Sequence, residues 1–237
     1  MRQVPYYLII GNGRVARHFR HYLSLMQIPY LSWHRDKSFT DLQEQLKHAT
    51  HILLLISDSS IEHFLKENLK TSTAIRIHFS GSHVSQFSHG AHPLMTFDDH
   101  QYTLQQYQTI PFIIDDDAPD FDKLLPGLPN PHTRLQKSLK AKYHALCVLS
   151  GNFSCMLWQK LFSDLEHELK IPAEMAFPYL KQQTQNLLTN YKTALTGPLV
   201  RNDTTTIKNN LHALEHDPFQ EIYKSFISCY QQLKSEA

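Results

Sequence analysis

Residues 6–16, near the start of the chain, combine a short apolar run with closely spaced glycines, and they read Tyr-Tyr-Leu-Ile-Ile-Gly-Asn-Gly-Arg-Val-Ala. The apolar run predicts a buried strand, and the residues after the glycines have the periodicity of an amphipathic helix. Gly11 would allow a tight turn, Gly13 would let another group approach the backbone, and Ala16 would keep the helix close to the strand. The segment therefore predicts a strand, a tight turn and a helix that begins near Arg14.

The small residues of this turn have the spacing G-x-G-x-x-A, which is typical of dinucleotide-binding sites. The free amides and the positive dipole end of the helix would face the pyrophosphate of such a ligand. Small residues also serve ordinary strand-to-helix turns, but here both flanking elements that the motif requires are predicted. The expected pyrophosphate site consists of six consecutive residues: Gly11, Asn12, Gly13, Arg14, Val15 and Ala16.

The end of the second predicted strand indicates which dinucleotide would bind. An NAD site usually places a carboxylate about 20 residues after the glycines. This chain has His34 and Arg35 there instead. A guanidinium can pair with the 2′-phosphate of NADP, and Lys37 and Ser38 would add contacts. The alternative is a solvated loop in which Arg35 and Asp36 neutralise each other. We expect NADP as the cofactor, with His34 and Arg35 at its ribose.

Composition excludes several classes of protein. The chain has 237 residues, a net charge of +1 and 41% hydrophobic residues, so it can bury a sizeable core and has no excess of charge for a nucleic-acid partner. Apolar runs such as Ile52–Ile56 are too short to cross a membrane, and the first residues lack a signal-peptide layout. The three cysteines show no pairing pattern, which predicts a cytoplasmic location.

Strand-like and helix-like segments alternate over residues 1 to about 125, the pattern of a parallel sheet covered on both faces. A segment rich in proline and glycine at residues 125–131 then predicts a linker, and the strand signal disappears after it. We expect an α/β Rossmann-like, doubly wound parallel sheet followed by an all-α domain. The expected domains are 1–130, which would bind NADP, and 131–237, a helical domain for substrate binding and dimerisation.

The predicted elements follow from these patterns. Strands are expected near Tyr6–Ile10, Tyr30–Trp33, His51–Ile56, Ala74–Phe79 and Pro111–Asp115, and helices near Arg14–Met26, Phe39–Lys47, Ser59–Leu69, Gln136–Lys170, Pro172–Leu195, Thr204–Glu215 and Pro218–Lys234.

Six segments together resemble one family of NADP-dependent oxidoreductases, whose activity is itself mostly assigned by similarity. The matching segments are residues 11–16, 54–58, 77–82, 92–97, the Tyr-His-Ala of 143–145 with Asn152, and 194–203. Members of this family join a Rossmann-like domain to a C-terminal domain of unknown function, DUF2520. The Thr-Gly-Pro…Arg…Asp block within residues 194–203 is the most specific of the matches.

The resemblance implies a cofactor fold akin to pyrroline-carboxylate reductase, ketopantoate reductase and the hydroxyacid dehydrogenases. It also implies a helical domain like the C-terminal domain of 6-phosphogluconate dehydrogenase, and a homodimer formed through that domain. The chain departs from the family pattern at two positions. Asn202 stands where a glycine is usual, and Asn tolerates a left-handed backbone better than most residues. Ser57 stands where a proline is usual, which would make that loop less rigid.

Two predicted strand ends would supply further site residues, because ligands of such sheets bind beyond the carboxyl ends of the strands. Ser57 and Asp58 follow the third strand and would meet the nicotinamide ribose, although Asp58 would equally serve as a helix N-cap. Ser80 and Gly81 follow the fourth strand and would bind the substrate, with Ser80 also orienting the reacting group. The alternative for this second pair is an ordinary polar turn.

Two histidines are candidate proton donors. His92 precedes a proline, and its alternative role is a hydrogen bond to the loop backbone. His144 and Asn152 lie on one predicted helix, about 80° apart around its axis and about 12 Å apart along it. We expect His144 to be the general acid and Asn152 to orient the substrate, as a proton donor and an amide do on the corresponding helix of the related dehydrogenases. A satisfied interior histidine and a buried helix asparagine are the alternatives.

Arg201 follows a helix-breaking Thr-Gly-Pro and precedes Asp203. It would bind a substrate carboxylate in fork geometry, or it would pair with Asp203, which would cap the next helix.

The sequence also has a cluster of histidines close together, which are His78, His83, His89 and His92. Their spacing matches no zinc pattern, so no metal is expected.

These features predict an NADPH-dependent oxidoreductase that transfers hydride to a C=O or C=N bond of a small anionic metabolite. The alternative is a dinucleotide-binding sensor or partner-binding protein without turnover. The sequence does not identify the substrate.

Overall fold

The computed structural model describes residues 5–235, which form two compact units that divide between Leu157 and Trp158. The first unit contains a seven-stranded sheet and the second is helical. The functional division expected at residue 130 remains a prediction.

The sheet of the first unit has the strand order β2-β1-β3-β4-β5-β6-β7. All neighbouring strands pair parallel except β5 and β6, which are antiparallel. This mostly parallel sheet confirms the expected fold class. The strands are β1 (Tyr7–Ile10), β2 (Tyr30–Trp33), β3 (His51–Leu54), β4 (Ile75–His78), β5 (His89–Pro93), β6 (Phe112–Asp115) and β7 (His132–Leu135).

Both faces of the sheet are buried. Successive side chains of a strand point to opposite faces, and in β1 Tyr7 and Ile9 join one apolar cluster while Leu8 and Ile10 join the other. Continuous burial of this kind is typical of parallel strands covered by helices. The helices of this unit are α1 (Arg14–Leu25), α2 (Phe39–Leu46), α3 (Asp58–Asn68), α4 (Leu104–Thr109), α5 (Phe121–Leu124) and α6 (Lys140–Cys147).

The five predicted strands are confirmed, but the sequence patterns missed β5 and β7. β5 reads His-Gly-Ala-His-Pro, and it lacks the β-branched and aromatic residues that favour strands. β7 is an edge strand whose first three residues are exposed, so it has no buried apolar run. The expectation that strands end at the linker was therefore wrong, because β7 lies beyond it.

The predicted helix Gln136–Lys170 was also wrong as a single α-helix. A π-helical turn, Val148–Phe153, separates α6 from α7 (Ser154–His167). Wider turns of this kind are rare and often lie at functional sites. Each residue of such a turn rotates the chain by less than the 100° of an α-helix, so the predicted 80° between His144 and Asn152 is too large.

Three more helices complete the second unit: α8 (Phe177–Asn190), α9 (Thr204–Ala213) and α10 (Phe219–Ser235). Asp203 caps α9, and its side chain accepts a hydrogen bond from the Thr206 amide at 3.0 Å. Asn202 adopts φ +55°, the left-handed conformation that its place in the family pattern predicts. Within residues 5–235, no helix is both long and apolar enough to span a membrane.

Candidate functional site

A cleft of about 800 Å³ opens at the carboxyl ends of β1, β2 and β3. The cleft lining includes nine of the ten predicted cofactor residues and also Ser80. Ala16 is the exception, since it is fully buried, as its predicted role of keeping α1 close to the strand requires. The nine lining residues are Gly11, Asn12, Gly13, Arg14, Val15, His34, Arg35, Ser57 and Asp58.

Gly11 and Gly13 differ in the backbone conformation and in the space available for a side chain. Gly11 has φ +125°, and a Cβ there would overlap the carbonyl group of Leu55, lying 2.8 Å from its carbon. Gly13 has φ −71°, which any residue can adopt, and a Cβ there would meet no heavy atom within 4 Å. The protein itself therefore requires glycine only at position 11. The open space beside Gly13 fits a ligand that approaches the backbone.

The N-terminus of α1 is suited to an anion. Gly13 is the N-cap and provides no side chain to the amides of the first turn, which also contains no acidic residue. The amide of Arg17 is the first to bond within the helix, to the Gly13 carbonyl oxygen at 3.0 Å. The amides before it carry the positive end of the helix dipole. The residues present therefore fit a pyrophosphate.

Two arginines hold the rim of this turn. Arg20 donates a hydrogen bond to the side-chain oxygen of Asn12 at 2.8 Å. Arg14 lies 3.5 Å from the Asp99 carboxylate, which also accepts a bond from Arg17 at 2.7 Å. Asp99 supplies one negative charge to two guanidinium groups, so Arg14 is only partly neutralised.

At the other end of the cleft, Arg35 is exposed and has no ion-pair partner in the described part of the chain. The Asp36 carboxylate lies against His34 Nδ1 at 3.2 Å, so the alternative in which Arg35 and Asp36 neutralise each other is wrong. Lys37 donates to the Ser32 carbonyl oxygen at 2.7 Å, and the Ser38 hydroxyl caps α2. Lys37 and Ser38 therefore already have hydrogen-bond partners in the chain. Of the cations in this loop, Arg35 is the one without a partner among the described residues.

Ser57, Asp58 and Ser80 connect the ends of two neighbouring strands. Ser57 is the N-cap of α3, and the helix begins at Asp58 rather than near Ser59. The Ser80 hydroxyl donates to the Asp58 carboxylate at 2.5 Å and accepts from the amides of Ser82 and His83. A hydroxyl has one proton and two lone pairs, so Ser80 is fully bonded. These contacts support its role in the turn more than a role in orienting substrate.

Directly beyond Ser80, two predicted proton donors meet over Gly81. A Cβ on Gly81 would lie 2.6 Å from His144 Cδ2 and 3.2 Å from His92 Nε2. The two imidazole rings are 6.1 Å apart between centroids. The structure therefore brings together Ser80, Gly81, His92 and His144, and the missing side chain of Gly81 provides the space for both rings.

His92 is held as a neutral imidazole. Its Nδ1 lies 2.7 Å from the hydroxyl of Tyr143. Burial, followed by the nearby His144 and Lys140, lowers the pKa of His92 to about 4. At neutral pH the ring is therefore uncharged, which argues against an imidazolium acid at this position.

A buried ion pair supports this cluster, and sequence reasoning missed it. Lys140 Nζ lies 2.7 Å from Asp115 Oδ1, with the two side chains 6% and 1% exposed. The other oxygen of Asp115 accepts a bond from the Gly90 amide at 2.7 Å. The pair joins the start of α6 to β5 and β6. Lys140 is one of three lysines within residues 137–142, and nothing in the sequence marks it as the buried one.

Two other predicted site residues are exposed: Asn152 on the π-helical turn and Arg201 within the second unit. No group of three or more His, Cys, Asp or Glu side chains within residues 5–235 is arranged to hold a metal ion.

Solved structures share this fold. A proposed NADP oxidoreductase from Bacteroides fragilis is 18% identical, with a TM-score of 0.75 over 96% of this chain and 98% of that one. A protein from Thermotoga maritima is 19% identical, with a TM-score of 0.68 over 97% and 99%. A reductive aminase from Aspergillus terreus, solved with NADPH and ethyl levulinate, is 14% identical, with a TM-score of 0.62 over 99% and 95%.

These likenesses define a class by fold: a Rossmann-like sheet domain followed by a helical region. Residues 111–228 match the DUF2520 family, a domain of unknown function. This match confirms the predicted resemblance to that family. No curated protein matches the sequence.

Proposed function

We propose that this protein binds NADPH in the cleft and reduces a C=O or C=N bond of a small anionic metabolite. The observation that carries the proposal is the uncapped N-terminus of α1, whose first-turn amides face a cleft with open space at Gly13. Solved relatives of similar fold support it, since the reductive aminase was solved with NADPH. Their low identity leaves the substrate open.

In this proposal the chain's own residues divide the binding tasks. The turn from Gly11 to Val15 would hold the pyrophosphate through backbone amides, and His34 and Arg35 would face the adenosine ribose. Ser57 and Asp58 would meet the nicotinamide ribose at the end of β3. When bound, NADPH supplies the hydride, and the protein must orient the substrate and stabilise developing charge.

His144 is the better of the two proposed proton donors. One ring nitrogen of His92 is engaged by Tyr143 and the ring is neutral at pH 7. His144 is half-buried beside it, and its ring forms no hydrogen bond within the described residues. We therefore assign the proton to His144. Orientation of the substrate by Asn152 and binding of its carboxylate by Arg201 remain predictions.

Arg35→Ala is expected to weaken NADPH binding and to leave NADH binding nearly unchanged. Loss of a charge-assisted contact to the 2′-phosphate costs about 1.5–3 kcal/mol, which is at least a tenfold change in Kd. Titration calorimetry with both coenzymes measures the difference. Lys37→Ala is the matched control, because Lys37 bonds the Ser32 carbonyl and should change neither affinity greatly. Equal weakening of both coenzymes by Arg35→Ala would refute the assignment to the 2′-phosphate.

A dinucleotide-binding sensor without turnover is the second candidate. The observation that favours it is the buried pair of Lys140 with Asp115, because this lysine near the cluster is not free to donate a proton. Assays of NADPH consumption with candidate ketones and imines separate the two proposals. Activity that is lost in His144→Ala while NADPH still binds would support the reductase. A wild type that binds NADPH but consumes none with any of these compounds would favour the sensor.

We also propose that the protein is a homodimer formed through its helical region, and that it is cytoplasmic. Of residues 158–235, only Ala176 among the apolar residues is buried, whereas Leu188 and Tyr191 are 77% and 72% exposed. A helical unit needs a buried apolar face for stability, and a second copy of the chain would supply the missing contact.

Sedimentation velocity is expected to give twice the 27.6 kDa mass of one chain. Leu188→Asp, which places a charge on the exposed apolar face, should shift the protein toward the monomer or unfold it. A wild-type protein that sediments as a single chain at micromolar concentration would contradict the dimer.

A further inference from the structure

A hydrogen bond between a tyrosine and a histidine lies next to the cleft. The hydroxyl of Tyr143, on α6, is 2.7 Å from Nδ1 of His92, on β5. Their rings meet edge to face, with centroids 5.6 Å apart. The tyrosine is half-buried, and burial raises its pKa, so its hydroxyl keeps its proton at neutral pH.

The chemistry of the two groups gives this bond a direction. A phenol is a stronger acid than a neutral imidazole N–H, and an imidazole nitrogen is the better acceptor. The lower-energy arrangement has Tyr143 donating to Nδ1 of His92. A neutral imidazole that accepts at Nδ1 must carry its proton on Nε2.

A second histidine–tyrosine pair in the same chain forms the same kind of hydrogen bond, and there both ring nitrogens of the histidine have partners. His18 Nδ1 lies 2.7 Å from the hydroxyl of Tyr107, and its Nε2 lies 3.0 Å from the carbonyl oxygen of Asp98. A carbonyl can only accept, so Nε2 of His18 carries a proton, and in the neutral ring Tyr107 is then the donor to Nδ1. His92 differs because its Nε2 has no hydrogen-bond partner among residues 5–235. Tyr143 is therefore the one group that sets its tautomer.

Nε2 of His92, which has no hydrogen-bond partner among residues 5–235, lies beside the turn that follows β4. Nε2 of His92 would be 3.2 Å from a Cβ on Gly81, and Gly81 follows Ser80, which lines the cleft. Glycine at this position leaves room there for the ring of His144 as well as for Nε2 of His92.

We propose that Tyr143 is a positioning residue that fixes His92 in the Nε2–H tautomer, so that a neutral imidazole presents an N–H donor beside Gly81. Its use in turnover rests on the proposed reductase function. A neutral imidazole N–H can polarise a carbonyl or imine without giving up its proton. The proton that completes the product would then come from His144.

The charges around His92 agree with a neutral ring. His144 and Lys140 disfavour a positive charge on it, and Asp58 favours one less strongly. Burial acts in the same direction as these two neighbours and is the largest cause of the lowered pKa of His92. The donor is therefore available without change from about pH 6 upward, whereas an imidazolium acid would be lost over that range.

Nitrogen-15 NMR of the histidine rings in the full chain, without coenzyme, tests the proposal. Wild-type His92 should show a protonated Nε2 and an unprotonated Nδ1. Tyr143→Phe keeps the ring and removes the hydroxyl, and loss of a hydrogen bond worth about 1 kcal/mol should change the tautomer ratio about fivefold. Tyr107→Phe is the matched control: His18 should keep its tautomer, because the Asp98 carbonyl still binds Nε2–H.

A wild-type His92 protonated on Nδ1, or a tautomer ratio that Tyr143→Phe leaves unchanged, would overturn the proposal. Neither result depends on NADPH, so calorimetry with the coenzyme reports separately on the proposed function. Where the wild type consumes NADPH, Tyr143→Phe should lower kcat by less than the fivefold change in the tautomer ratio, with little change in the KM for NADPH. An unchanged kcat would show that Tyr143 has no role in turnover.

Discussion

Gly11→Ala is expected to destabilise the first unit by about 3–5 kcal/mol, whether or not any ligand binds. The new methyl group would overlap the backbone carbonyl of Leu55, and φ at this position is +125°. Neither group can move away easily: the Gly11 amide bonds the Trp33 carbonyl and the Leu55 amide bonds the Ile10 carbonyl, each at 2.8 Å. Overpacking and a strained backbone each cost about 1–3 kcal/mol.

Thermal unfolding measures this loss, and Gly13→Ala is the control two residues away. A Cβ on Gly13 contacts nothing and its backbone is unstrained, so replacement of this N-cap glycine should cost less than about 1 kcal/mol. For a chain of this length, the difference corresponds to a gap in Tm of roughly 5–15 °C. Equal melting temperatures for the two variants would show that the turn is not built as described.

Lys140→Met should lower the free energy of unfolding by about 3–5 kcal/mol, since it leaves the buried Asp115 carboxylate without its cation. The Gly90 amide alone would remain to solvate that charge. Because the pair fixes the start of α6 against the sheet, the hydrogen bond between Tyr143 and His92 should weaken as well. Chemical denaturation gives the loss directly.

The matched control is Lys137→Met, three residues earlier. Lys137 also forms an ion pair at 2.7 Å, but its partner Asp117 is 58% exposed, and surface pairs contribute about 0–1 kcal/mol. Adding Asp115→Asn to Lys140→Met should recover part of the stability by removing the unpaired charge. Similar losses in the free energy of unfolding for Lys140→Met and Lys137→Met would mean that burial of the Lys140–Asp115 pair adds nothing to stability.

The cleft was predictable because its determinants are local in the sequence. The turn from Gly11 to Ala16 depends on small residues at fixed spacing, and Arg35 and Asp58 follow their strands directly. Parallel strands bring their carboxyl ends to one edge, so these segments were expected to meet. The structure places them around one cleft, while their roles in binding remain predictions.

The supporting contacts were not predictable, because they join segments far apart in the chain. Tyr143 and His92 are 51 residues apart, and Lys140 and Asp115 are 25 apart. Neither strand β5 nor the π-helical turn has a periodic apolar pattern, so the position of His92 and the face of Asn152 could not be derived from the sequence. The helical-wheel angle between His144 and Asn152 was wrong for this reason.

Calorimetric titration of NADPH into the wild type and Gly13→Ala tests the central claim most directly. We expect binding to the wild type and at least tenfold weaker binding to Gly13→Ala, a loss of about 1.4 kcal/mol, at nearly unchanged stability. The methyl group would take the space in which a diphosphate reaches the first amides of α1. No binding of NADPH or NADH to the wild type, or equal affinity in Gly13→Ala, would contradict it.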